Sequence, residues 1–246
     1  SKQIKNSKIL NIKRRAKYIE IELNNNRTLM IHPRMTGHPL LGNWEIKNNN
    51  AVPKSSGPIQ EKINGYVHTI FYLDNNLMLG ISDARKFGTI KLGDKTQLEN
   101  LPEIKKLGMD PFDKQFTAKK LSLLLHSKKR AIKPTLLDQT LVSGIGNIYA
   151  DEILWYAKIN PQKRTSSLSE KEINLIFKAI HLVLKKALKL RGSSFVDYRD
   201  PSGEKGSYSS HAKAYGREGH PCERCGTKIM RIKIAQRSAH FCPKCQ

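Results

Sequence analysis

Alternating apolar and polar residues, interrupted by short polar turns, dominate residues 1–92. The run YIEIEL at 18–23 is followed by three asparagines and then by TLMI at 28–31, and such a pattern is typical of a β-hairpin. Residues 67–73 and 77–81 flank the turn sequence DNN and predict a second hairpin. The pattern therefore predicts an antiparallel, β-rich region at the start of the chain.

A helical pattern replaces the alternation in residues 113–191. Ser169 and Glu172 have the spacing of a capping box, in which each side chain bonds the other residue's backbone amide. The apolar residues that follow recur at helical spacing and are expected to face a core. They are Ile173, Ile176, Phe177, Ile180, Val183, Leu184 and Leu188. Two segments rich in Asn, Ser or Gly predict loops, a mobile one at 43–65 and another at 192–214.

The charge balance narrows the range of partners. The 246 residues include 44 Lys and Arg against 21 Asp and Glu, a formal net charge of +23. Such an excess favours a polyanion partner, with nucleic acid as the first candidate. A membrane surface is the alternative, but it would favour a terminal basic amphipathic segment, which the sequence lacks. No long apolar run and no signal-peptide pattern are present, so we expect a soluble, cytoplasmic protein without membrane association.

The four cysteines follow the spacing C-x2-C-x16-C-x2-C. Two such knuckles predict one structural zinc held by Cys222, Cys225, Cys242 and Cys245, because four thiolates fill a tetrahedral coordination sphere. Disulfides or free thiols are the alternative. Residues 227–234 and 238–241 between the knuckles predict hairpin strands, with Arg237 at or near a basic tip suited to phosphate.

A glycine-rich turn precedes a predicted helix in KPTLLDQTLVSGIGNIYADE, residues 133–152. Glycine lets the backbone approach a phosphate closely, and the first amides of a helix point towards an anion. Asn147 is expected to cap this helix, beside Gly146. A plain turn is the alternative interpretation.

These motifs also resemble a known family. SGIGNIYADE, with IKPTLLDQ before it and INP after it, resembles the helix–two-turn–helix of bacterial formamidopyrimidine-DNA glycosylase. The ending YGREGHPCERCGTKI…AQRSAHFCPKCQ is similar to that family's zinc finger, and RRAKYIEIEL, HPRMTG and SDARKFG resemble its β-sandwich motifs in the expected order. Endonuclease VIII-like enzymes share the helical motif and the finger, but HPRMTG and ARKFG favour the formamidopyrimidine branch.

The resemblance implies a bifunctional DNA glycosylase and AP lyase in base-excision repair. Such an enzyme flips an oxidised purine (8-oxoguanine or formamidopyrimidine) out of duplex DNA, forms a Schiff base and cuts the strand by β,δ-elimination. By resemblance Met35 fills the void, Arg85 contacts the orphaned base and Phe87 wedges into the stack. The alternative is that Met35 and Phe87 are core residues. Glu152 is expected to support the site, and residues 193–208 match the loop that closes over the everted base.

The resemblance also assigns contacts to the DNA backbone. Lys17 matches a lysine near the phosphate and sugar of the lesion, and Asn147 and Arg237 match a pair that grips the phosphate of the flipped nucleotide. Lys86 stands where the family commonly has Arg. A lysine ammonium contacts a phosphate as a point charge, whereas an arginine guanidinium can bind it through two hydrogen bonds. The further DNA-binding positions are Lys133, Gly146 and Tyr215.

The sequence differs from the family pattern at the N-terminal catalytic residues. The resemblance implies an N-terminal proline nucleophile followed by glutamate, whereas this sequence begins Ser1-Lys2-Gln3. Either a segment is missing from the sequence given, or the protein is a catalytically silent reader of damaged DNA. In the second case Lys17 is the candidate for a Schiff base with an abasic aldehyde.

The expected architecture is α+β and multidomain. It comprises an N-terminal antiparallel β-sandwich, incomplete at its start, in residues 1–112, a helix–two-turn–helix domain in residues 113–202, and the end of the lesion loop with the zinc ribbon in residues 203–246. We expect a monomer whose partner is double-stranded DNA containing an oxidised purine or an abasic site. An RNA-binding zinc-ribbon protein is a third hypothesis.

Overall fold

The computed structural model describes residues 3–246, and these residues divide into two compact units. Among these residues, the first unit comprises 3–101 and 187–210, and the second comprises 102–186 and 211–246. The three-part division expected from the sequence stays a prediction. None of the described helices is long and apolar enough to cross a bilayer.

The first unit is built from antiparallel strands. A four-stranded sheet has the order β1-β2-β3-β9, a three-stranded sheet has the order β4-β8-β7, and β5 pairs with β6. The strands are β1 (Ile9–Arg15), β2 (Tyr18–Leu23), β3 (Arg27–His32), β4 (His38–Gly42), β5 (Trp44–Lys47), β6 (Asn50–Pro53), β7 (Val67–Tyr72), β8 (Met78–Ser82) and β9 (Thr89–Asp94). Helix α1 (Lys95–Glu99) follows β9. Both predicted hairpins are present, as β2–β3 and β7–β8.

Apolar residues of both larger sheets meet in one core, as expected of a sandwich. In β2 and β3, Ile21 stands opposite Leu29 and both are buried. Ile81 of β8 belongs to the same cluster, so the two sheets share this core. The alternation in β2 therefore has the predicted consequence of sending one face inward.

The prediction of a mobile loop at 43–65 was wrong. The segment contains β5, β6 and two short 3-10 helices, Pro58–Gln60 and Lys62–Asn64. Trp44 and Ile59 are buried with Leu40, and the buried Asn64 amide bonds the carbonyl oxygen of Pro58 at 2.7 Å. The polar composition of the segment predicted a loop, but its apolar residues Trp44 and Ile59 pack against residues of β4 and β7.

The second unit is helical and ends in the cysteine-rich hairpin. Its helices are α2 (Pro102–Lys105), α3 (Ala118–His126), α4 (Ile132–Leu136), α5 (Asn147–Ala157) and α6 (Glu170–Lys189), of which the last turn belongs to the first unit. Strands β10 (Met230–Ile234) and β11 (Arg237–Phe241) form the terminal hairpin.

The long helix α6 begins as predicted. The Ser169 amide donates to Glu172 Oε2 at 2.9 Å, and the Glu172 amide donates back to Ser169 Oγ at 3.3 Å, which is a capping box. Its apolar stripe is buried at Ile173, Ile176, Ile180 and Val183. Leu188 was expected in the core but is 62% exposed. The helical spacing continues past the point at which the neighbouring elements cover that face.

Candidate nucleic-acid interface and metal centre

Two loops of the first unit present one exposed cluster of three side chains. Met35 follows β3 and is 62% exposed, and Phe87 precedes β9 and is 53% exposed. Arg85 joins them, because its Nη1 donates to Met35 Sδ at 3.5 Å and its guanidinium lies 4.7 Å from the centroid of the Phe87 ring. The alternative that Met35 and Phe87 are core residues is therefore excluded.

A buried carboxylate holds the two loops together. Asp83 accepts hydrogen bonds from the Thr36 hydroxyl, from the Gly88 amide at 2.7 Å and from the Arg85 amide at 3.2 Å. Burial acts to raise the pKa of Asp83, but these bonds and one from the Lys86 amide outweigh it and hold the pKa below its usual value. The sequence interpretation passed over Asp83, although its place inside the SDARKFG motif was a usable signal.

The exposed Lys17 lies in the turn between β1 and β2, close to His32 of β3. Burial, with the positive charges of Arg34 and Lys17, lowers the pKa of His32 to about 4. The ring of His32 meets Tyr18 edge-on at 4.3 Å, and its Nδ1 accepts from the Arg34 amide at 2.9 Å. His32 is therefore a neutral imidazole near pH 7 and lines a cavity of about 250 Å³ together with Lys86.

The segment 193–208 is tied to the sandwich by a buried arginine. Arg199 is 6% exposed, and its Nε and Nη2 both donate to Glu61 Oε2, at 3.1 and 3.0 Å. The Asn64 amide donates to the carbonyl oxygen of Gly203 at 3.2 Å. Val196, near the start of the segment, is exposed. The segment is thus anchored to the sandwich at Arg199 and Gly203, whereas Val196 presents an apolar side chain to solvent.

In the second unit, Gly146 and not Asn147 is the N-cap residue of α5. The backbone of Gly146 is extended, with φ −110° and ψ 177°, and Asn147 is the first residue of the helix. Since the Asn147 side chain makes no capping bond, the expected cap was wrong. Its Oδ1 is buried and has no hydrogen-bond partner among residues 3–246. The side chain is therefore not committed to the helix terminus.

Lys133 was expected to contact the DNA backbone, but the structure places it in the interior. The side chain is fully buried, its Nζ pairs with Asp151 Oδ1 at 2.5 Å, and it donates to the Ser238 carbonyl oxygen. Burial is the main influence on Lys133 and lowers its pKa, against the attraction of Asp151. Asp151 Oδ2 in turn accepts from the His240 amide at 2.9 Å. Lys133 thus links α4, α5 and β11 and positions the hairpin, and its expected contact with the DNA backbone stays a prediction.

Glu152 of α5 holds residues 213–215, the segment that precedes the zinc ribbon. Its buried carboxylate accepts from the amides of Lys213, Ala214 and Tyr215 at 2.8 to 3.0 Å. Burial raises the pKa of Glu152, and these three bonds counteract the rise. The Tyr215 ring meets the His240 ring edge-on at 4.9 Å, so its aromatic face is already partly occupied inside this unit.

Arg237 stands at the tip of the β10–β11 hairpin, pairs with Ile234 through the backbone and is exposed. The two tip residues, Ala235 and Gln236, have φ values of 45° and 65°. Left-handed backbone at two successive non-glycine residues is costly, and such strain concentrates at functional sites. The turn presents Arg237 at the exposed tip of the β10–β11 hairpin.

The four cysteines converge as a metal site requires. All four sulfur atoms lie within 4.8 Å of one another, and the Sγ atoms of Cys225 and Cys242 are 3.4 Å apart. A tetrahedral zinc with Zn–S bonds of about 2.3 Å places its sulfurs about 3.8 Å apart, so this donor set fits the ion. Hydrogen bonds from the Thr227 side chain and amide lower the pKa of Cys225 to about 6 and favour its thiolate. One structural zinc is held by Cys222, Cys225, Cys242 and Cys245, as predicted.

Fold and site together define a zinc-ribbon protein with a β-sandwich and a helical domain of the helix–two-turn–helix type. Three family models match the chain. The formamidopyrimidine-DNA glycosylase N-terminal domain matches residues 1–90, the helix–two-turn–helix domain of that enzyme matches residues 107–198, and the zinc finger found in that glycosylase and in IleRS matches residues 219–246.

Individual relatives agree with the family models. A formamidopyrimidine-DNA glycosylase of Herpetosiphon aurantiacus is 43% identical over 238 residues, which cover 97% of this chain and 81% of the relative. The Fpg protein of Lactococcus lactis in complex with abasic-site DNA superposes with a TM-score of 0.85 at 37% identity, covering 100% of this chain and 84% of that one. The Fpg of Thermus thermophilus gives a TM-score of 0.83 at 32% identity, covering 98% and 83%. The chain belongs to the formamidopyrimidine-DNA glycosylase family.

Proposed function

We propose that this protein acts in base-excision repair as a bifunctional DNA glycosylase and AP lyase. Its substrate is duplex DNA that carries an oxidised purine, such as 8-oxoguanine or formamidopyrimidine. Relatives of the same fold are described in complexes with DNA containing an abasic site or a formamidopyrimidine lesion. We place the protein in the bacterial cytoplasm, acting as a monomer on the nucleoid, because its relatives are bacterial and its net charge is +23.

The observation that carries this proposal is the exposed cluster of Met35, Arg85 and Phe87. Flipping a nucleotide costs unstacking energy and leaves a gap in the duplex, which a side chain must fill. Met35 supplies a flexible apolar filler, Phe87 a flat ring for the stack and Arg85 a fork of donors for the orphaned base. An exposed thioether, guanidinium and aromatic ring in mutual contact are otherwise a costly surface for a soluble domain.

The second unit supplies the grip on the backbone. Arg237 at the strained hairpin tip offers a guanidinium fork, which suits a phosphate bidentately. Asn147 at the start of α5 makes no capping bond, so its side-chain Nδ2 can donate to a phosphate beside helix-terminal N–H groups, which favour an anion. The buried ion pair of Lys133 and Asp151 keeps α5 and β11 in register, so these two contacts act as a pair.

Lys17 is our candidate for a covalent contact with an abasic sugar. Its Nζ would attack the C1′ aldehyde, water would leave, and an imine would form, which borohydride reduces to a stable amine. Exposure in the β1–β2 turn and the neighbouring neutral His32 support this role. Trapping on abasic DNA tests it directly: an adduct that survives Lys17→Ala at full yield would exclude Lys17 as the attacking amine.

A labelled duplex with one 8-oxoguanine tests the proposed function. We expect the strand to be cut at the lesion alone, with phosphate left at both ends of the gap, and we expect borohydride to trap a covalent complex. If the full-length protein binds the lesion selectively but gives neither a cut nor an adduct, it is a catalytically silent reader of damaged DNA. Tighter binding to structured RNA than to duplex DNA, measured in a salt titration, would defeat the assignment to DNA.

A further inference from the structure

Three buried hydrogen-bond donors lie beside the cysteine cluster without an acceptor. They are Nε1 of Trp155 and both Nε and Nη2 of Arg224, none of which has a hydrogen-bond partner among the described residues. Buried donors are almost always satisfied, because an unpaired one loses its bonds to water and gains nothing. Three such atoms at one place therefore indicate an acceptor that is not a nitrogen or oxygen of this chain.

Trp155 packs directly on the metal site. It is a nearly buried residue of α5 and shares one cluster with Cys222, Cys242 and Ile229. Its indole Nε1 is one of the three unsatisfied donors, and Cys222 belongs to the same buried cluster.

Arg224 lies between the two cysteines of the first knuckle and stacks on the same indole. Its guanidinium carbon is 4.0 Å from the centroid of the Trp155 ring, a cation–π contact in a desolvated place. A zinc ion with four thiolates carries a net charge of about −2, since four negative sulfurs exceed one divalent cation. The other cations around this knuckle, Lys213 and Arg217, are already paired with Glu223. Arg224 has no carboxylate partner among the residues described.

We propose that Trp155 and Arg224 are part of the zinc site, where Arg224 offsets the negative charge of the tetrathiolate and the Trp155 indole N–H stabilises the Cys222 sulfur. The two side chains are positioning residues, because neither binds the metal. Their stack connects the ribbon to α5, so the affinity for zinc and the attachment of the ribbon to that helix depend on one contact.

Zinc release into excess EDTA, followed with a zinc-binding dye, tests the role of Arg224. We expect Arg224→Gln to release zinc roughly ten-fold faster than the unchanged protein, within the range typical of partners outside the coordination sphere. Lys244→Gln is the matched control, since it removes one positive charge from the same place in the second knuckle, where the side chain is exposed. Arg224→Lys, which keeps the charge, should restore slower release. Equal rates for Arg224→Gln and Lys244→Gln, or for Arg224→Gln and Arg224→Lys, would overturn the proposed charge compensation.

The cobalt-substituted protein tests the indole separately, by a signal that packing alone does not change. Trp155→Phe keeps an aromatic ring and removes the N–H donor. Without that donor the Cys222 sulfur gives up electron density more readily, so its charge-transfer band to cobalt should move to longer wavelength. An unchanged band would overturn the role of the indole. The experiment stays informative if Arg224→Gln does not fold, and because it reads the metal site alone, its outcome is independent of glycosylase activity.

Discussion

The guanidinium of Arg85 stacks on the ring of Phe87 and touches the sulfur of Met35, so three side chains from two loops form one surface feature. Asp83 makes this possible, because its carboxylate binds the Thr36 hydroxyl in one loop and the Arg85 and Gly88 amides in the other. The cluster is therefore preorganised, and less conformational entropy is lost when DNA binds than for three independent side chains.

Replacing Arg85 should affect the choice of opposite base more than affinity. Arg85→Ala removes the donors that we propose contact the orphaned base, and a good side-chain contact to a base is worth about 1–3 kcal/mol of discrimination. We expect the affinities for lesion duplexes with different opposite bases to converge, as measured by fluorescence anisotropy at one salt concentration. Unchanged preference for one opposite base would show that Arg85 does not read that base.

Replacing Arg237 should weaken binding to every duplex alike. Arg237→Ala removes the proposed phosphate contact, so the slope of log K against log salt should become shallower by about 0.9. Titrations at several salt concentrations, with damaged and undamaged duplexes, measure both effects. The proposed division between a base-reading and a phosphate-binding arginine fails if Arg237→Ala and Arg85→Ala give the same pattern.

Removing the Lys133 ammonium should destabilise the second unit strongly. Lys133→Met leaves the buried Asp151 without its ammonium partner, and breaking a buried pair in this way costs about 3–5 kcal/mol. In an Asp151→Asn background the same change should cost less, because no buried charge is left behind. Urea unfolding followed by circular dichroism measures both.

The control for that measurement is Lys163→Met. This lysine pairs with Glu172 at 2.6 Å, but both side chains are partly exposed. Its loss should therefore cost about 1 kcal/mol or less. Similar losses for the two lysine variants would mean that the buried pair has no special role in holding the hairpin.

His32 should make the stability of the first unit depend on pH. Its pKa is about 4 in the folded protein, against 6.5 for an exposed histidine, so the unfolded chain binds an extra proton between those values. The contribution of His32 to the free energy of unfolding is thus complete above pH 6.5 and falls as the pH is lowered towards 4. His32→Asn should flatten this part of the curve, measured by denaturation at about pH 7 and about pH 4.5, with His68→Asn as the control for loss of an exposed imidazole. A wild-type curve that His32→Asn leaves unaltered would contradict the shift.

Glu61 should keep the segment 193–208 closed against proteases. Glu61→Ala leaves the buried guanidinium of Arg199 without its carboxylate, so the segment should detach more often. We expect several-fold faster chymotryptic cleavage after Tyr198 in limited proteolysis. Glu45→Ala, which removes an exposed carboxylate paired with Lys47, should leave the rate unchanged. Equal rates for both variants would show that Glu61 does not anchor the segment.

Much of the fold and part of the site followed from local patterns. The two hairpins, the capping box of α6 and the zinc site depend on residues close together in sequence, and local spacing was sufficient to predict them. The position of Arg237 at the hairpin tip was also predictable from local sequence, because a two-residue turn between two short strands leaves few positions for this residue.

Predictions from the sequence were wrong where contacts with residues distant in the chain determine the local structure. Residues 43–65 have the composition of a loop, yet Trp44 and Ile59 find apolar partners in other strands and order the segment. Leu188 fits the helical stripe, but the packing that would cover it ends earlier. Asn147 is a good capping residue, yet Gly146 occupies the cap and leaves the Asn147 side chain uncommitted.

The sequence by itself determined the family, through motifs that resemble it, and the metal, through the spacing of its cysteines. Tertiary structure decided which basic residues remain available to a polyanion. Lys133 and Arg237 are both cations within motifs that resemble those of the family, but Asp151 draws the first inside while a strained turn presents the second to solvent. A buried charge needs a partner brought from elsewhere in the chain, and only the folded structure shows that Lys133 has one.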